Sequence, residues 1–185
     1  MSEDNLDDGL LVLRCQRGDP EAFREIVKRW EPRLYYYLRR LLGNDGAVWD
    51  VLQETWLAVF RGVRTLGDVR KFPAWLYRVT RAKAVDAMRK QNRHIEPPEE
   101  PQVDGAEDGS AILMAREEAQ LVHEQLGKLS ASHREVLTLR FLEDFSIGEI
   151  SEVLGVSEGT VRSRLHYAKK DLSQFLREAK HEDAT

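Results

Sequence analysis

The sequence predicts an all-α protein built from two small helical domains joined by a flexible acidic linker. Three observations carry that expectation. Apolar residues recur at spacings of three and four, and no window alternates apolar and polar residues for long enough to make a strand. Residues 95–110, IEPPEEPQVDGAEDGS, hold three Pro, two Gly and six acidic side chains but only two aliphatics larger than Ala, a composition that cannot form a packed core. Helix start and stop signals punctuate the chain on both sides of this stretch. The domains are accordingly placed at 1–93 and 112–185, with 94–111 as the linker. A length of 185 residues suits two such units.

In the first domain, Asp19 and Pro20 pair as cap and first-turn residue ahead of Phe23, Ile26, Val27, Trp30, Leu34, Tyr37, Leu38 and Leu41, a helical series that runs to Gly43. Pro32 lies inside that series, where its ring and missing N–H predict a kink or a break. A second helix is expected after Asn44 and Asp45, with Val48, Val51, Leu52, Thr55, Trp56, Val59 and Phe60 on its buried side. A third should run from about Pro73 to Lys90. In the second domain, Ser132 with Glu135 and Ser146 with Glu149 both fit the S-x-x-E capping box, in which each side chain satisfies a backbone donor left open by the helix start. Ser146 to Leu154 reads as a short helix with Ile147, Ile150, Val153 and Leu154 facing inward. Gly155 suits the left-handed position that closes it, and Ser157 can cap the next helix. In that last helix Val161, Leu165, Ala168, Leu172 and Phe175 share one face. A short helix, a tight turn and a longer helix form the helix-turn-helix pattern.

The lone cysteine, Cys15, cannot form an internal disulfide and sits among Leu11, Val12 and Leu13 as a small apolar residue. The acidic N-terminus lacks the basic start and apolar run of a signal peptide, and no apolar run approaches the roughly 20 residues that cross a bilayer, so a cytoplasmic protein without membrane insertion is expected. The five His never pair at ligand spacing, no glycine loop cradles phosphate and no triad is evident, so neither metal nor cofactor nor catalysis is expected.

Twenty-eight Lys and Arg against 32 Asp and Glu give a net charge of -4, which as an average argues against a phosphate-backbone partner. The average conceals segregation. Residues 61–93 carry ten basic and two acidic side chains, a net +8, and 156–180 carry +3, whereas 94–128 carry -7. The first basic segment interleaves its cations with Phe72, Trp75 and Tyr77, the mixture of charge and stacking platforms used on single-stranded nucleic acid. Trp75 and Leu76 could equally fill the core, yet a folded domain gains nothing from so dense a self-repelling charge. In the last helix, Arg162, Ser163, His166, Tyr167, Lys169 and Lys170 lie opposite the apolar face, with Arg164 at its margin. A helix entering the major groove leads with its N-terminal residues, where Arg can donate a bidentate pair to guanine, while lysines two turns on suit phosphate. An antiparallel helix pair with an ordinary solvated basic face is the competing interpretation.

Three motifs together, DVLQETWLAVFRG at 50–62, FPAWLYRVTRAKAVDAMRK at 72–90 and LSASHREVLTLRFLEDFSIGEISEVLGVSEGTVRSRLHYAKKDL at 129–172, resemble a bacterial RNA polymerase sigma factor of the extracytoplasmic-function type, in the sigma-70 family. The resemblance covers roughly residues 10–92 and 114–178. It implies a sigma 2-like domain and a sigma 4-like helix-turn-helix domain, with core RNA polymerase and promoter DNA as partners and an anti-sigma factor as a common regulator. It implies that Asp50, Gln53, Glu54 and Trp56 contact core polymerase. It further implies that Asp68 and Lys71 in a loop, with Trp75, Arg78 and Arg81 on the following helix, capture a flipped base and melt the -10 element. Thr160, Arg162, Ser163, Arg164, His166 and Lys169 would then read or grip the -35 element. Three positions depart from the family pattern: Ala82 stands where Asn is frequent, and Val48 and Trp49 replace an acidic pair. The alternative function is a stand-alone helix-turn-helix regulator with a helical sensor or dimerisation domain, which shares only the second half of the chain.

Overall fold

A computed structural model describes residues 3–42, 45–92 and 124–182. The expected linker 94–111 and the start of the second domain at 112 lie outside the described residues. Among those described there is no strand. The chain divides into two compact units, with helices α1 (Glu3–Gln16), α2 (Pro20–Leu42), α3 (Asp45–Gly62) and α4 (Phe72–Asn92) in the first. The second holds α5 (Ala131–Phe141), α6 (Ile147–Leu154) as far as Ser151, and α7 (Glu158–Glu182).

Helix α1 is the element that periodicity did not announce. It ends in a Schellman motif: Gly18 adopts φ +87°, its N–H donates to the Cys15 carbonyl at 2.9 Å, and the Asp19 N–H reaches the Arg14 carbonyl at 3.1 Å. Asp19 then turns its carboxylate to the next helix, accepting from the Glu21 and Ala22 amides at 2.9 and 3.3 Å. Leu11, Val12 and Cys15 are buried, as the local apolar cluster led one to expect of the cysteine.

Helix α2 runs unbroken through Pro32, which excludes the break that was one of the two outcomes expected there. The proline is exposed, and the same helix buries Ile26 and Trp30 before it and Leu34, Tyr37 and Leu38 after it. At about 1.5–3 kcal/mol for each large apolar side chain removed from water, that continuous face outweighs the roughly 3 kcal/mol a mid-helix proline costs. The core of the unit is aromatic at its centre. Trp30 lies 6.0 Å from Phe72 and 6.3 Å from Tyr77, and Tyr77 lies 5.1 Å from Tyr37, all edge to face. Helix α3 contributes Val48, Val51, Leu52, Thr55 and Val59. Trp56 is only half-buried and Phe60 is 57% exposed, so the buried stripe is narrower than expected and Phe60 belongs outside it.

In the second unit α5 packs on α7. Its start is capped by Ser130, whose Oγ accepts from the His133 amide at 3.3 Å, instead of by the Ser132–Glu135 box. Ser132 already lies inside α5, past its N-cap, so it cannot form the box with Glu135. The Ser146–Glu149 box does form: the Ser146 amide donates to Glu149 Oε2 at 2.8 Å and the Glu149 amide to Ser146 Oγ at 3.3 Å. Gly155 closes α6 at φ +66°, with the Val156 amide reaching back to the Ser151 carbonyl at 3.3 Å. Ser157 caps α7 by accepting from the Thr160 amide at 3.2 Å. Val136, Leu139, Phe145, Ile150, Val161 and Ala168 are buried in this unit.

Candidate nucleic-acid interface

Two short 3-10 turns, Val63–Thr65 and Val69–Lys71, link α3 to α4 and carry the loop singled out in sequence. Asp68 organises the second turn. It accepts from the Arg70 amide at 3.1 Å and grips the Arg70 guanidinium with both oxygens at 3.0 Å. Those bonds, the side-chain pair foremost, hold the Asp68 carboxyl below the usual carboxylate range. Asp68 is thus a loop-shaping residue with its acceptors largely engaged, while Lys71 and Arg78 are exposed and Arg81 is half-buried. Exposed Arg61 and Arg64 extend the positive surface toward the end of α3.

Trp75 is half-buried on α4, with its ring centroid 6.1 Å from that of Phe72. Its other support is Gly62, where a Cβ would stand only 3.0 Å from Trp75 Cζ2. Glycine at that position lets the indole lie against backbone while keeping part of its surface open. Leu76 and Tyr77 beside it are fully buried, so the core-filling role falls to them. Ala82 is exposed, a methyl group where the family's frequent Asn would offer hydrogen bonds.

On α3, Asp50, Gln53 and Glu54 are exposed. Glu54 pairs with Lys83 of α4 at 3.5 Å, and the Trp56 indole N–H donates to Glu31 of α2 at 3.2 Å. Around these polar groups lie Trp49, Leu57 and Phe60, apolar yet 49–57% exposed. Phe60 stands edge-on to Phe23 at 5.2 Å, and Phe23 edge-on to Trp56 at 6.2 Å. Of the two departures ahead of this motif, Val48 is fully buried in the core, whereas Trp49 lies outside it, its ring tilted against Tyr35 with centroids 5.1 Å apart. Of these exposed apolar side chains, periodicity placed Phe60 inward and assigned neither Trp49 nor Leu57 to a surface. The signal was present: α3 has more apolar residues than its single stripe of Val48, Leu52, Thr55 and Val59 can bury.

The helix-turn-helix presents Arg162, Ser163, His166, Tyr167, Lys169 and Lys170 to solvent, with Arg164 half-buried as expected for its margin. Several are already engaged. Arg162 donates to Glu158 Oε2 at 2.7 Å, Ser163 Oγ donates to the Thr160 carbonyl at 3.0 Å, and Thr160 Oγ1 lies 2.9 Å from Ser157 Oγ. Lys169 sits over the Phe141 ring at 5.1 Å, and His166 meets Tyr167 edge-on at 5.3 Å. The Arg162–Glu158 pair is the feature sequence reading overlooked, although i,i+4 spacing of Glu and Arg announces it. An exposed pair of this kind contributes about 0.3–0.5 kcal/mol, less than the roughly 1–3 kcal/mol of a bidentate guanine contact, so the guanidinium can be exchanged onto a base.

Comparison with known proteins gives this arrangement a family. Residues 26–94 match the model for sigma-70 region 2, and 119–172 match sigma-70 region 4. The chain is 30% identical over 183 residues to the ECF RNA polymerase sigma-E factor of Escherichia coli, covering 92% of this chain and 94% of that one. It is 27% identical to the ECF RNA polymerase sigma factor SigW of Bacillus subtilis, over 90% of this chain and 95% of the other. Among solved structures it is similar to CnrH, determined in complex with the cytosolic domain of CnrY, with a TM-score of 0.65 and 28% identity over 93% of this chain and 98% of that one. The fold is likewise shared with RpoE of Bartonella quintana, solved with the anti-sigma factor NepR, at a TM-score of 0.66 and 23% identity over 84% of this chain and 96% of that one. With both sigma regions present in order along one chain, this protein belongs to the extracytoplasmic-function sigma factors of the sigma-70 family.

Proposed function

We propose that the chain binds core RNA polymerase and directs it to particular promoters, reading the -35 duplex with the start of α7 and capturing and melting the -10 element with the 3-10 loop and α4. The observation that carries this is the coexistence of region 2 and region 4 in one chain, since a stand-alone regulator accounts for the second alone. On this reading residues 1–93 form the polymerase-binding and melting domain, 94–111 an acidic connector and 112–185 the upstream reader. Asp50, Gln53, Glu54 and Trp56 meet core polymerase, and the exposed Leu57 and Phe60 beside them supply apolar area that polar contacts alone would lack. Asp68 shapes the capture loop, Lys71, Arg78 and Arg81 neutralise phosphate, and Trp75 offers a stacking face. Arg162, Ser163, Arg164 and His166 read base edges, with Thr160 and Lys169 on phosphate. The work of opening is drawn from binding, and RNA synthesis is left to the polymerase.

Among the described residues no helix is long and apolar enough to cross a membrane, and we place the protein in the cytoplasm with its polymerase. CnrH was solved in complex with the cytosolic domain of CnrY and RpoE of Bartonella quintana with the anti-sigma factor NepR, and an anti-sigma factor is the regulator we assign to this chain. The test is a pair of footprints. With core polymerase the protein should protect a promoter and render thymines of its -10 element reactive to permanganate, whereas alone it should bind the duplex weakly. Tight binding alone, without reactive thymines when polymerase is added, would support the regulator instead.

A further inference from the structure

We propose that Gln16 is a positioning residue for the base-capture loop and that α1 is the seat on which that loop is held. The proposal rests on the reading of the loop given above. Gln16 lies in the last turn of α1, directly before the Schellman motif that fixes the helix end. Its carboxamide Nε2 donates to the Val63 carbonyl at 3.0 Å and to the Leu66 carbonyl at 2.8 Å. One side chain therefore ties both ends of the first 3-10 turn to a helix nearly fifty residues earlier in sequence.

Within itself the turn is held by the buried Val63 and by Thr65 Oγ1, which donates to the Gly62 carbonyl at 2.9 Å, but neither ties its far end to another helix. The turn is three residues long, and its own closing bond, from the Leu66 amide to the Val63 carbonyl, is 3.3 Å. Hydrogen-bond geometry in such turns is poorer than in an α-helix. Helix α1 packs along both 3-10 turns, and at Gly9 a Cβ would stand 3.5 Å from Val69 Cγ2, so the helix supports the second turn as well. A pocket that must accept an unstacked base gains from being shaped before the base arrives, because ordering it afterwards is subtracted from the binding free energy. Gln16 supplies two donors where the loop offers two carbonyls, and it touches no nucleic acid itself.

The test uses the full-length protein with core polymerase at a promoter first located with the wild type. Binding is measured to single-stranded oligonucleotides of the non-template -10 strand, each with one base replaced. The wild type should lose affinity sharply at the captured position. Gln16→Met keeps the side chain's length without a donor, and should lose about tenfold of that discrimination while core polymerase affinity and thermal melting stay near wild type. Gln16→Lys restores donors. Its added charge strengthens every oligonucleotide alike, so the ratio between bases should return toward the wild-type value. Full discrimination in Gln16→Met overturns the proposal, as does parallel loss of discrimination, polymerase binding and melting temperature, or failure of Gln16→Lys to recover the ratio. A wild-type protein with no discriminating position overturns the loop assignment itself, and the proposal with it.

Discussion

Replacing Gly62 with alanine separates two roles of Trp75, support of the fold and capture of a base. Gly62 has φ -92° and ψ -23°, a helical conformation open to alanine, and the exchange favours the folded chain by about 0.4–1 kcal/mol through the unfolded state. Against this, the new Cβ would stand 3.0 Å from Trp75 Cζ2 and 3.4 Å from Cη2. Ordinary carbon contacts fall near ~3.5–4.0 Å, so the indole must shift by several tenths of an ångström, at a cost of about 1–3 kcal/mol typical of overpacking. The terms oppose each other, and the net destabilisation should lie between about 0 and 2.6 kcal/mol. The effect on opening should be larger in proportion. Stacking of a base on an aromatic ring is worth about 1–3 kcal/mol, and misplacing the ring should slow opening by about tenfold. Stopped-flow fluorescence from 2-aminopurine in the -10 element measures opening, while a mobility shift with core polymerase and duplex promoter measures the preceding closed complex. Opening at the wild-type rate in both Gly62→Ala and Trp75→Ala would refute a capture role for Trp75 and leave it as a partly exposed core residue.

Three other outcomes are expected. Arg162→Ala should weaken upstream-element discrimination by roughly 1–3 kcal/mol in competition binding, whereas Lys169→Ala should weaken all sequences alike and flatten the salt dependence. Ser146→Ala, which removes one half of the capping box of α6, should lower stability by about 1 kcal/mol in urea unfolding. Asp8 gives a pH signature: burial pushes its carboxyl above the usual range, with Trp30 and Arg29 acting in the opposite direction. Between its unfolded and its raised folded pKa the native state binds more protons than the unfolded one, so the Asp8 contribution to stability is present below that window and is lost as pH rises through it. The stability of wild type relative to Asp8→Asn should therefore fall with rising pH across the window, and a flat or rising difference in urea titrations would contradict the burial effect.

What was legible in the sequence was what periodicity and capping chemistry encode locally. The Asp19 cap, the Ser146–Glu149 box, Gly155 and Ser157 all act through neighbours within a few residues, and each forms as read. Pro32 failed as a breaker because α2's buried face is shared with other helices, a tertiary gain that no local rule contains. Ser132 lost the cap to Ser130 because α5 begins at Ala131, and a four-residue motif does not fix which of two nearby serines precedes the helix. Phe60 turned outward because α3 can bury only one stripe, which pattern matching cannot distinguish from a surface kept apolar for a partner. Gln16 was invisible for a stronger reason: its partners are backbone carbonyls, which carry no residue identity at all.

Promoter direction by this protein is open to a direct trial in transcription reconstituted in vitro. Purified core polymerase is supplied with genomic fragments, with and without the protein, and the RNA 5′ ends are mapped. A set of start sites should appear only when the protein is added and should weaken with Arg162→Ala. No start site dependent on the protein, with a polymerase shown to be active on another sigma factor, would contradict promoter direction.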